Sequence, residues 1–267
     1  MAVGRRPASL AVSMATPMAA LVMTCATPVC AQDKVTSAPD PVWALSLGAG
    51  RTSNALGAAS ERSMSLRRST EWGPVVAEGL QLHRLGQTDH AWALDAYPRL
   101  WEKAYANVRW QQASQALLYP GTSWRAELYQ GVGTGWEWSV SHDHLGFESP
   151  VHIAGVAIGK YWGNFFVRWR HQQVHSKGAS GQGDRFLVRY YYQGDADHYL
   201  EANASSGRSD DFVTTWVAAS RSDTRGMSWL HFFNKDWGLK ASLSESKDAS
   251  RAGARERSAH VGLTRRW

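Results

Sequence analysis

The run Ser141-His142-Asp143-His144 contains the residue types of a hydrolytic relay. In such a relay each side chain must hydrogen-bond to the next one in space. These four residues are consecutive at the end of an alternating segment, and successive side chains of a strand point to opposite faces. The chain also has no Gly-x-Ser-x-Gly elbow. We therefore expect polar residues at a membrane boundary here, with an enzyme acting on lipid or glycan as the alternative.

The ten histidines form no metal-binding motif. His142 and His144 are separated only by Asp143, so a surface cation site at this loop is the alternative, but the other histidines are scattered and no H-E-x-x-H sequence occurs. Gly133 and Gly135 do not form a nucleotide loop, because no strand-to-helix context follows them. We therefore expect neither a metal ion nor another cofactor.

The beginning of the chain predicts a cleaved export signal. Arg5 and Arg6 form a short basic region, residues 9–25 are small and mostly apolar, and Ala31 ends a small-residue cleavage site. A membrane-spanning helix is the alternative, but it would need about 20 predominantly apolar residues, and Pro17 interrupts a shorter stretch. We expect cleavage after Ala31.

Both cysteines, Cys25 and Cys30, lie within this signal. The cleaved chain would therefore have no disulfide, no thiol nucleophile and no cysteine-based zinc site. Cleavage also lowers the formal net charge from +6 to +4, because Arg5 and Arg6 are lost and no acid is. So mild an excess on an exported chain gives no reason to expect binding to nucleic acid.

The stretch from Pro150 to Gln173 reads as two strands joined by a tight turn at 161–164. After the turn the residues alternate between two faces, as successive side chains of a pleated strand do. One face carries Phe165, Val167 and Trp169, and the other carries Phe166, Arg168, Arg170 and Gln172. Apolar groups on one face and arginines on the other fit a membrane-spanning β-barrel, with lipid outside and a polar lumen inside.

The composition agrees with such a barrel. No apolar run beyond the export signal is long enough for a membrane helix, and the mean hydropathy is −0.39, yet all 14 tryptophans follow the signal. Transmembrane barrels combine these properties, because only half of each strand faces lipid and aromatic girdles lie at both interfaces. A soluble, tryptophan-rich β-sandwich or sugar-binding barrel is the alternative.

Segments of about ten alternating residues, separated by turn signals, recur along the chain. If both ends lie in the periplasm, the strands must be even in number and every second connection must be short. The short connections are predicted at 73–74, 98–101, 131–135, 161–164, 193–197 and 234–237. Treating 207–222 mostly as a loop gives 14 strands, although 12 or 16 satisfy the same parity.

The predicted fold is thus all-β, a single antiparallel transmembrane β-barrel of about 14 strands preceded by a signal peptide. We divide the chain into a signal peptide (1–31), a periplasmic lead-in (32–41) and one barrel domain (42–267). The final strand supports a location in the bacterial outer membrane, because an apolar-alternating strand that ends on an aromatic residue resembles the assembly signal of such barrels. This signal comprises Val261, Leu263 and Trp267.

Charged and aromatic side chains on the polar faces are the candidate lumen lining. They are Asp95, Lys103, Tyr105, Arg109, Arg125, Glu127, Glu137, Arg168, Arg170, Arg185, Arg189, Tyr191 and Glu201. Two interpretations remain open. Arginines and carboxylates on facing strands can neutralise one another and fill a closed barrel. Alternatively, arginine forks and aromatic faces can form a path for anionic or hydroxyl-rich molecules.

Several segments, in order along the chain, resemble the YaiO family of outer-membrane β-barrel proteins. They are Tyr97 to Trp101, Glu127 to Gly131, Gly135-Trp136, Tyr161 to Phe165, Arg168 to Arg170, Arg185 to Tyr191, Asp236 to Leu239 and Arg265 to Trp267. The resemblance implies a barrel, with some members linked to envelope polysaccharide production. Other members carry helical repeats ahead of the barrel, and this chain has none. The resemblance supplies no catalytic residues.

The resemblance and the lumen lining together suggest a non-enzymatic barrel that assists export or passage of saccharide-type polymers. An outer-membrane enzyme at the barrel rim and a purely structural barrel are the alternatives. The expected partners are outer-membrane lipid and lipopolysaccharide, the barrel-assembly machinery and components of polysaccharide secretion.

Overall fold

A computed structural model describes residues 42–54, 57–177, 179–207, 222–248 and 254–267. The predicted signal peptide (1–31) and lead-in (32–41) lie outside these residues, as does most of the segment 207–222 that was expected to be a loop. No helix in the described ranges is long and apolar enough to cross a membrane.

The described residues form β-strands joined by turns and loops. The strands are β1 (Trp43–Asn54), β2 (Gly57–Arg68), β3 (Val75–Arg84), β4 (Gln87–Ala96), β5 (Arg99–Trp101), β6 (Ala104–Ala113), β7 (Thr122–Gly133), β8 (Trp136–Gly146), β9 (Val151–Trp162), β10 (Phe165–Ser176), β11 (Ala179–Tyr191), β12 (His198–Gly207), β13 (Ser222–Phe232), β14 (Trp237–Asp248) and β15 (Ala254–Arg266).

Fourteen of these strands form one closed antiparallel sheet. Each pairs with its neighbours in sequence, and β1 pairs with β15 to close the barrel. The three-residue β5 pairs with β6 beyond the end of β4, which itself pairs directly with β6, so β5 prolongs β4 after a break at Tyr97-Pro98. The prediction of an all-β transmembrane barrel of 14 strands is confirmed.

The first residue of β1 and the last residue of the chain lie at the same opening of the barrel, which we call the terminal end. The backbone N–H and C=O groups of Trp43 and Trp267 bond to one another, each at 3.1 Å. The predicted turn at 161–164 lies at this end, but it is only Gly163-Asn164, because Tyr161 and Trp162 continue β9.

The opposite, distal end carries the connection 114–121, and β12 ends and β13 begins there. A short connection also occurs at this end, at Leu85-Gly86, a two-residue turn with φ angles of 47° and 77°. Positive φ at both positions is the conformation that closes a tight β-hairpin. Because bacterial barrels have short periplasmic turns and longer extracellular loops, the terminal end is the periplasmic one.

Side chains alternate around the barrel as the sequence predicts. On β10, Phe165, Val167 and Trp169 are exposed on the outside, whereas Phe166 and Gln172 are buried inside. The outer surface is therefore apolar and suited to lipid, while most of the lumen is filled by polar and charged side chains.

Candidate functional site

The lumen holds most of the predicted lining. Ten of the predicted residues border its cavity, namely Tyr105, Arg109, Arg125, Glu127, Glu137, Arg168, Arg170, Arg185, Arg189 and Glu201. Asp95 is buried behind Arg109, and Tyr191 lies at the end of β11 next to Arg189. Lys103 instead occupies the turn before β6, where its backbone φ is 59° and its half-exposed side chain approaches Glu102.

Glu127 on β7 is the centre of a buried charge cluster. Its Oε1 atom accepts hydrogen bonds from Nη2 of Arg168 and Nη2 of Arg170, both at 2.5 Å. Oγ of Ser139 also donates to Oε1, at 2.7 Å. Only 3% of the Glu127 surface is exposed, so its charge is compensated by these donors rather than by water.

Small residues allow the two arginines of β10 to reach β7. Two strands, β8 and β9, lie between them, and these present Ser139 and Ser141 on β8 and Ala157 and Gly159 on β9. Gly159 is required by close packing, because a Cβ there would lie 2.8 Å from the ring of Phe166. These small residues leave free space on the inner surface of β8 and β9, and the long arginine side chains extend across it.

Aromatic rings adjoin this cluster. The rings of Tyr105 and Tyr129 are stacked, with centroids 4.4 Å apart and planes within 6° of parallel. The hydroxyl of Tyr105 donates to Oε2 of Glu137 at 3.1 Å. The guanidinium of Arg168 lies 5.2 Å from the centroid of the Tyr129 ring. Aromatic faces and guanidinium groups therefore meet at one position in the lumen.

Other arginines have their own carboxylates. Arg109 donates to Glu78 at 2.7 Å and to Asp95 at 3.1 Å. Arg189 donates twice to Oε2 of Glu201, at 2.8 and 2.6 Å. Arg125 forms a further close pair with Asp143. Such pairs are what we expect if arginines and carboxylates on facing strands neutralise one another, which is the first of the two interpretations left open by the sequence. We call the surface formed by Arg109, Arg125, Arg168, Arg170 and Arg189, with the adjoining tyrosines, the arginine wall. The paired carboxylates leave this wall close to neutral.

The opposite wall of the cavity is built from hydroxyl-bearing and small residues. They come from β12 to β15 and β1 and include Asn203, Ser205, Thr224, Gly226, Ser228, Ser242, Ser244, Ser258, Gly50 and Thr52. Some hydroxyls bond to each other across strands, as Thr52 does with Ser258 at 2.9 Å. We call this surface the serine wall. Its short side chains leave space in front of the arginine wall.

His260 adds a ring to the serine wall. The ring lies against β1, where a Cβ at Gly48 would be 2.9 Å from Nε2. Both ring nitrogens are buried, and neither has a hydrogen-bond partner among the described residues. The imidazole therefore borders the cavity with unused hydrogen-bonding capacity.

The space between the two walls is a cavity of about 330 Å³. Its lining runs from Tyr97 and Phe166 near the terminal end to Pro120, Leu145 and Ile153 near the distal end. This volume is within the range of small-molecule sites. The lumen is thus neither filled completely by side chains nor a wide aqueous pore.

The loop 114–121 narrows the distal end. Asp89 Oδ2 accepts backbone N–H groups of Leu117 and Leu118 at 2.9 Å and of Tyr119 at 3.0 Å. The Asp89 carboxylate is fully buried, and Leu118 and Tyr119 pack with Leu80, Leu82 and alanines of the wall. The loop is therefore fastened inside the barrel mouth rather than extended into solvent.

Phenylalanines narrow the terminal end. Phe166 packs on Tyr161, with ring centroids 4.4 Å apart, and is buried. The Cζ atom of Arg266 lies 3.6 Å from the centroid of the Phe232 ring. The Arg266 guanidinium also donates two hydrogen bonds of 2.7 Å to the carboxylate of Asp197. The terminal end of the lumen is thus narrowed by aromatic side chains.

Sequence reasoning identified Asp95 on β4 but missed three other buried acids, Glu61 on β2, Glu78 on β3 and Asp89 on β4. It left the face of β3 undecided, because inward Glu78 alternates in phase with apolar Val76, Leu80 and Leu82. The apolar residues face inward because the loop 114–121 covers them. The available signals are an inward aspartate, Asp89, on β4 and a Leu-Leu-Tyr segment at 117–119 in a distant loop. They are too weak to predict that the carboxylate holds the loop.

The residue types of a hydrolytic relay do not converge. Ser141 and Asp143 face the lumen, whereas His142 and His144 lie on the outside, where both rings contact Trp124. No group of three or more His, Cys, Asp or Glu side chains within the described ranges is arranged to hold a metal ion.

The predicted assembly signal lies on the outer surface. Val261, Leu263 and Trp267 are each about half exposed and share the lipid-facing side of β15. Trp267 also joins the last strand to the first through its backbone bonds to Trp43.

Comparison with known proteins places the chain among membrane barrels. A family model described as "YaiO membrane beta barrel domain" matches residues 44–212. A search of curated proteins found no match.

Three solved structures have a similar fold. A bacterial polysaccharide outer membrane secretin is 8% identical, with a TM-score of 0.57 over 85% of this chain and 99% of that one. The CymD monoaromatic hydrocarbon channel is 9% identical, with a TM-score of 0.55 over 85% and 89%. An outer membrane channel from Pseudomonas putida F1 is 10% identical, with a TM-score of 0.55 over 89% and 100%. At these identities the likeness concerns the fold alone.

Proposed function

The chain belongs to the YaiO family of membrane β-barrels and lies in the bacterial outer membrane, and from this premise we propose that it is a non-enzymatic passage for saccharide-type polymers. The polymer would thread the lumen as a single chain. The observation that carries this proposal is the division of the lumen into an arginine wall with tyrosines and a facing serine wall, with a cavity between them.

The two walls offer the groups that bind sugars. Guanidinium N–H groups donate to hydroxyl and carboxylate oxygens in a fixed fork geometry. Tyr105 and Tyr129 provide apolar ring faces, and serine and threonine hydroxyls both donate and accept. Sugars present the same mixture of hydroxyl groups and apolar C–H faces, so each wall has a counterpart on the ligand.

Recognition by hydroxyl groups is favoured over recognition by charge. Arg168 and Arg170 share Glu127, and Arg189 is paired with Glu201. A guanidinium that already neutralises a carboxylate still has N–H groups available for a sugar hydroxyl. We therefore expect weak ion selectivity and binding of neutral as well as acidic saccharides.

Fold similarity to a polysaccharide secretin and to two outer-membrane channels supports a barrel that can conduct. The fastened loop 114–121 and the phenylalanines at the terminal end are the elements that would control the width of such a path. We infer that the passage accepts one saccharide chain at a time, since the cavity is only about 330 Å³.

Single-channel recording in planar bilayers tests the proposal. The purified barrel is expected to give discrete current steps, and maltotetraose should interrupt them transiently. Ser242→Trp should lower the conductance, because it places a large ring on the serine wall. Ala241→Trp is the matched control, since the neighbouring side chain lies on the lipid-facing side of the same strand. Equal conductance of the two variants would contradict the proposal.

The competing functions are an outer-membrane enzyme at the rim and a purely structural barrel. The opposed directions of Ser141 and His142 argue against a relay at that position. Mass spectrometry of lipid A and phospholipids, from cells with and without the protein, should show the same species. A protein-dependent modified lipid would support the enzyme instead. A barrel that never conducts, even after deletion of 114–121, would support the structural role.

A further inference from the structure

The outer surface of the barrel is uneven at the distal end. On five consecutive strands, β13, β14, β15, β1 and β2, lipid-facing apolar residues stop at a common level and charged residues follow. These charged residues are Asp223, Arg225, Glu245, Lys247, Arg255, Arg257, Arg51 and Arg62. We call them the basic patch.

Strand register makes the patch continuous. Arg225 and Arg257 both lie opposite Glu245, and Lys247 lies opposite Arg255. Directly opposed side chains on neighbouring strands have Cβ atoms roughly 5 Å apart, and diagonal neighbours are about 7–8 Å apart. The charges of adjacent strands are therefore close enough to act on one ligand.

The patch carries more positive charge than its own acids neutralise. All six cationic side chains are exposed, and among the described residues of this outer surface only two acids, Asp223 and Glu245, accompany them. Glu245 Oε2 accepts a hydrogen bond from Arg257 Nε at 2.9 Å, in a pair that is itself solvent-exposed. Clustered cations on a surface favour an anionic partner from outside the chain.

The other side of the same end has a different character. At the distal ends of β7, β8 and β9 the outward residues are Trp124, His142, His144 and His152, whose rings contact one another. The outward faces of these three strands carry no lysine or arginine at this end, unlike the basic patch. If charged residues served only to keep the distal end soluble, we would expect them on β7 to β9 as well as on the strands of the basic patch.

The apolar band directly below the patch indicates the kind of partner. Leu243 and Met227 lie opposite each other there, Val261 lies on the next strand, β15, and Met64 lies on β2, beyond β1, and all four are exposed. A ligand on this surface would touch hydrocarbon-facing side chains below and arginines above. A free phosphate ion would use only the arginines.

We propose that the basic patch binds a phosphorylated glycolipid of the outer leaflet, with phosphates on the arginines and acyl chains on the apolar band. Guanidinium groups bind phosphate through paired, charge-assisted hydrogen bonds. The distal end is the one that meets the outer leaflet, because the terminal end is periplasmic. This site is on the outside of the barrel and does not depend on conduction through the lumen.

Native mass spectrometry of the full barrel with bis-phosphorylated lipid A tests the proposal. Arg62→Gln with Arg257→Gln should weaken retention by roughly 30-fold, as expected for the loss of two cations near an anionic lipid surface. Arg68→Gln with Arg265→Gln is the matched control, because these exposed arginines lie on the same strands, β2 and β15, at the terminal end. The control should retain lipid A like the unmodified protein.

Three further probes distinguish the source of the negative charge. Dephosphorylated lipid A and inorganic phosphate should each bind far more weakly than lipid A, and phosphatidylglycerol should not replace it. Equal loss in both double variants, or equal binding of any of the three probes, would overturn the proposal. Heat-modifiable migration on gels confirms that each variant is folded before lipid binding is compared.

Discussion

Arg170 on β10 reaches across two intervening strands to Glu127 on β7, with 2.5 Å between Nη2 and Oε1. This contact joins residues 43 positions apart in sequence, and Arg168 makes the same contact with the same oxygen. One carboxylate therefore balances two guanidinium groups. The arginine wall depends on this carboxylate more than on any single arginine that it binds.

Glu127→Gln should destabilise the barrel by about 3–5 kcal/mol, because Arg168 and Arg170 would keep their charges in the lumen without a carboxylate. Urea unfolding in lipid vesicles, followed by tryptophan fluorescence, measures the change. Glu245→Gln is the control, since Glu245 pairs with Arg257 on the exposed outer surface, where an ion pair adds little to stability. Similar values for the two variants would contradict the role given to Glu127.

Glu127→Gln should also shift ion selectivity towards anions, because the wall gains net positive charge. Reversal potentials across a KCl gradient in planar bilayers measure this shift. A reversal potential unchanged from that of the unmodified barrel would mean that ions do not pass this cluster.

Val167→Arg should impair insertion, because the outward Val167 faces lipid and a cation near the midplane costs roughly 2–4 kcal/mol. The adjacent Arg168→Ala should insert nearly as well as the unmodified protein, since Glu127 keeps its bond to Arg170. Folding yield into vesicles, read from heat-modifiable migration, compares them. If both substitutions reduced the yield equally, the assignment of the two faces of β10 would be wrong.

Gly159→Val should destabilise the barrel by about 1–3 kcal/mol, because its Cβ would collide with the Phe166 ring. Phe166→Ala in the same chain should recover most of this loss, since it removes the colliding ring. A double-mutant cycle from urea unfolding gives the coupling. Additive effects of the two substitutions would show that they do not share this contact.

Asp89→Ala should widen the distal mouth, because the loop 114–121 would lose the carboxylate that holds the N–H groups of Leu117, Leu118 and Tyr119. We expect a larger single-channel conductance and a loss of about 1–3 kcal/mol in stability. Asp89→Asn keeps one acceptor oxygen, so its conductance and stability should lie between those of Asp89→Ala and those of the unmodified barrel. A conductance independent of residue 89 would show that the loop does not limit the path.

Much of the fold follows from short-range pattern. On β10 the alternation of Val167 with Arg168 predicts which side faces lipid, because a strand has a period of two. The parity of the turns requires an even number of strands, and treating 207–222 mostly as a loop gives 14. The end of the signal peptide and the segment 208–221 lie outside the described residues, so those predictions stay as they are.

The partners of the inward charges could not be read from the sequence in the same way. Glu127 meets Arg168 and Arg170 only because the sheet closes and β8 and β9 present small residues between them. Glu78 was missed because loop 114–121 inverts the expected polarity of β3. Lys103 was placed on the lumen side by parity alone, but the strand begins at Ala104 and parity does not extend into the preceding turn.

The most direct test of the proposed passage is the current through single barrels before and after addition of maltotetraose. We expect discrete openings that the sugar interrupts, with a conductance that falls in Ser242→Trp and persists in Ala241→Trp. Openings that the sugar leaves unchanged, or a barrel that stays closed even without 114–121, would contradict it.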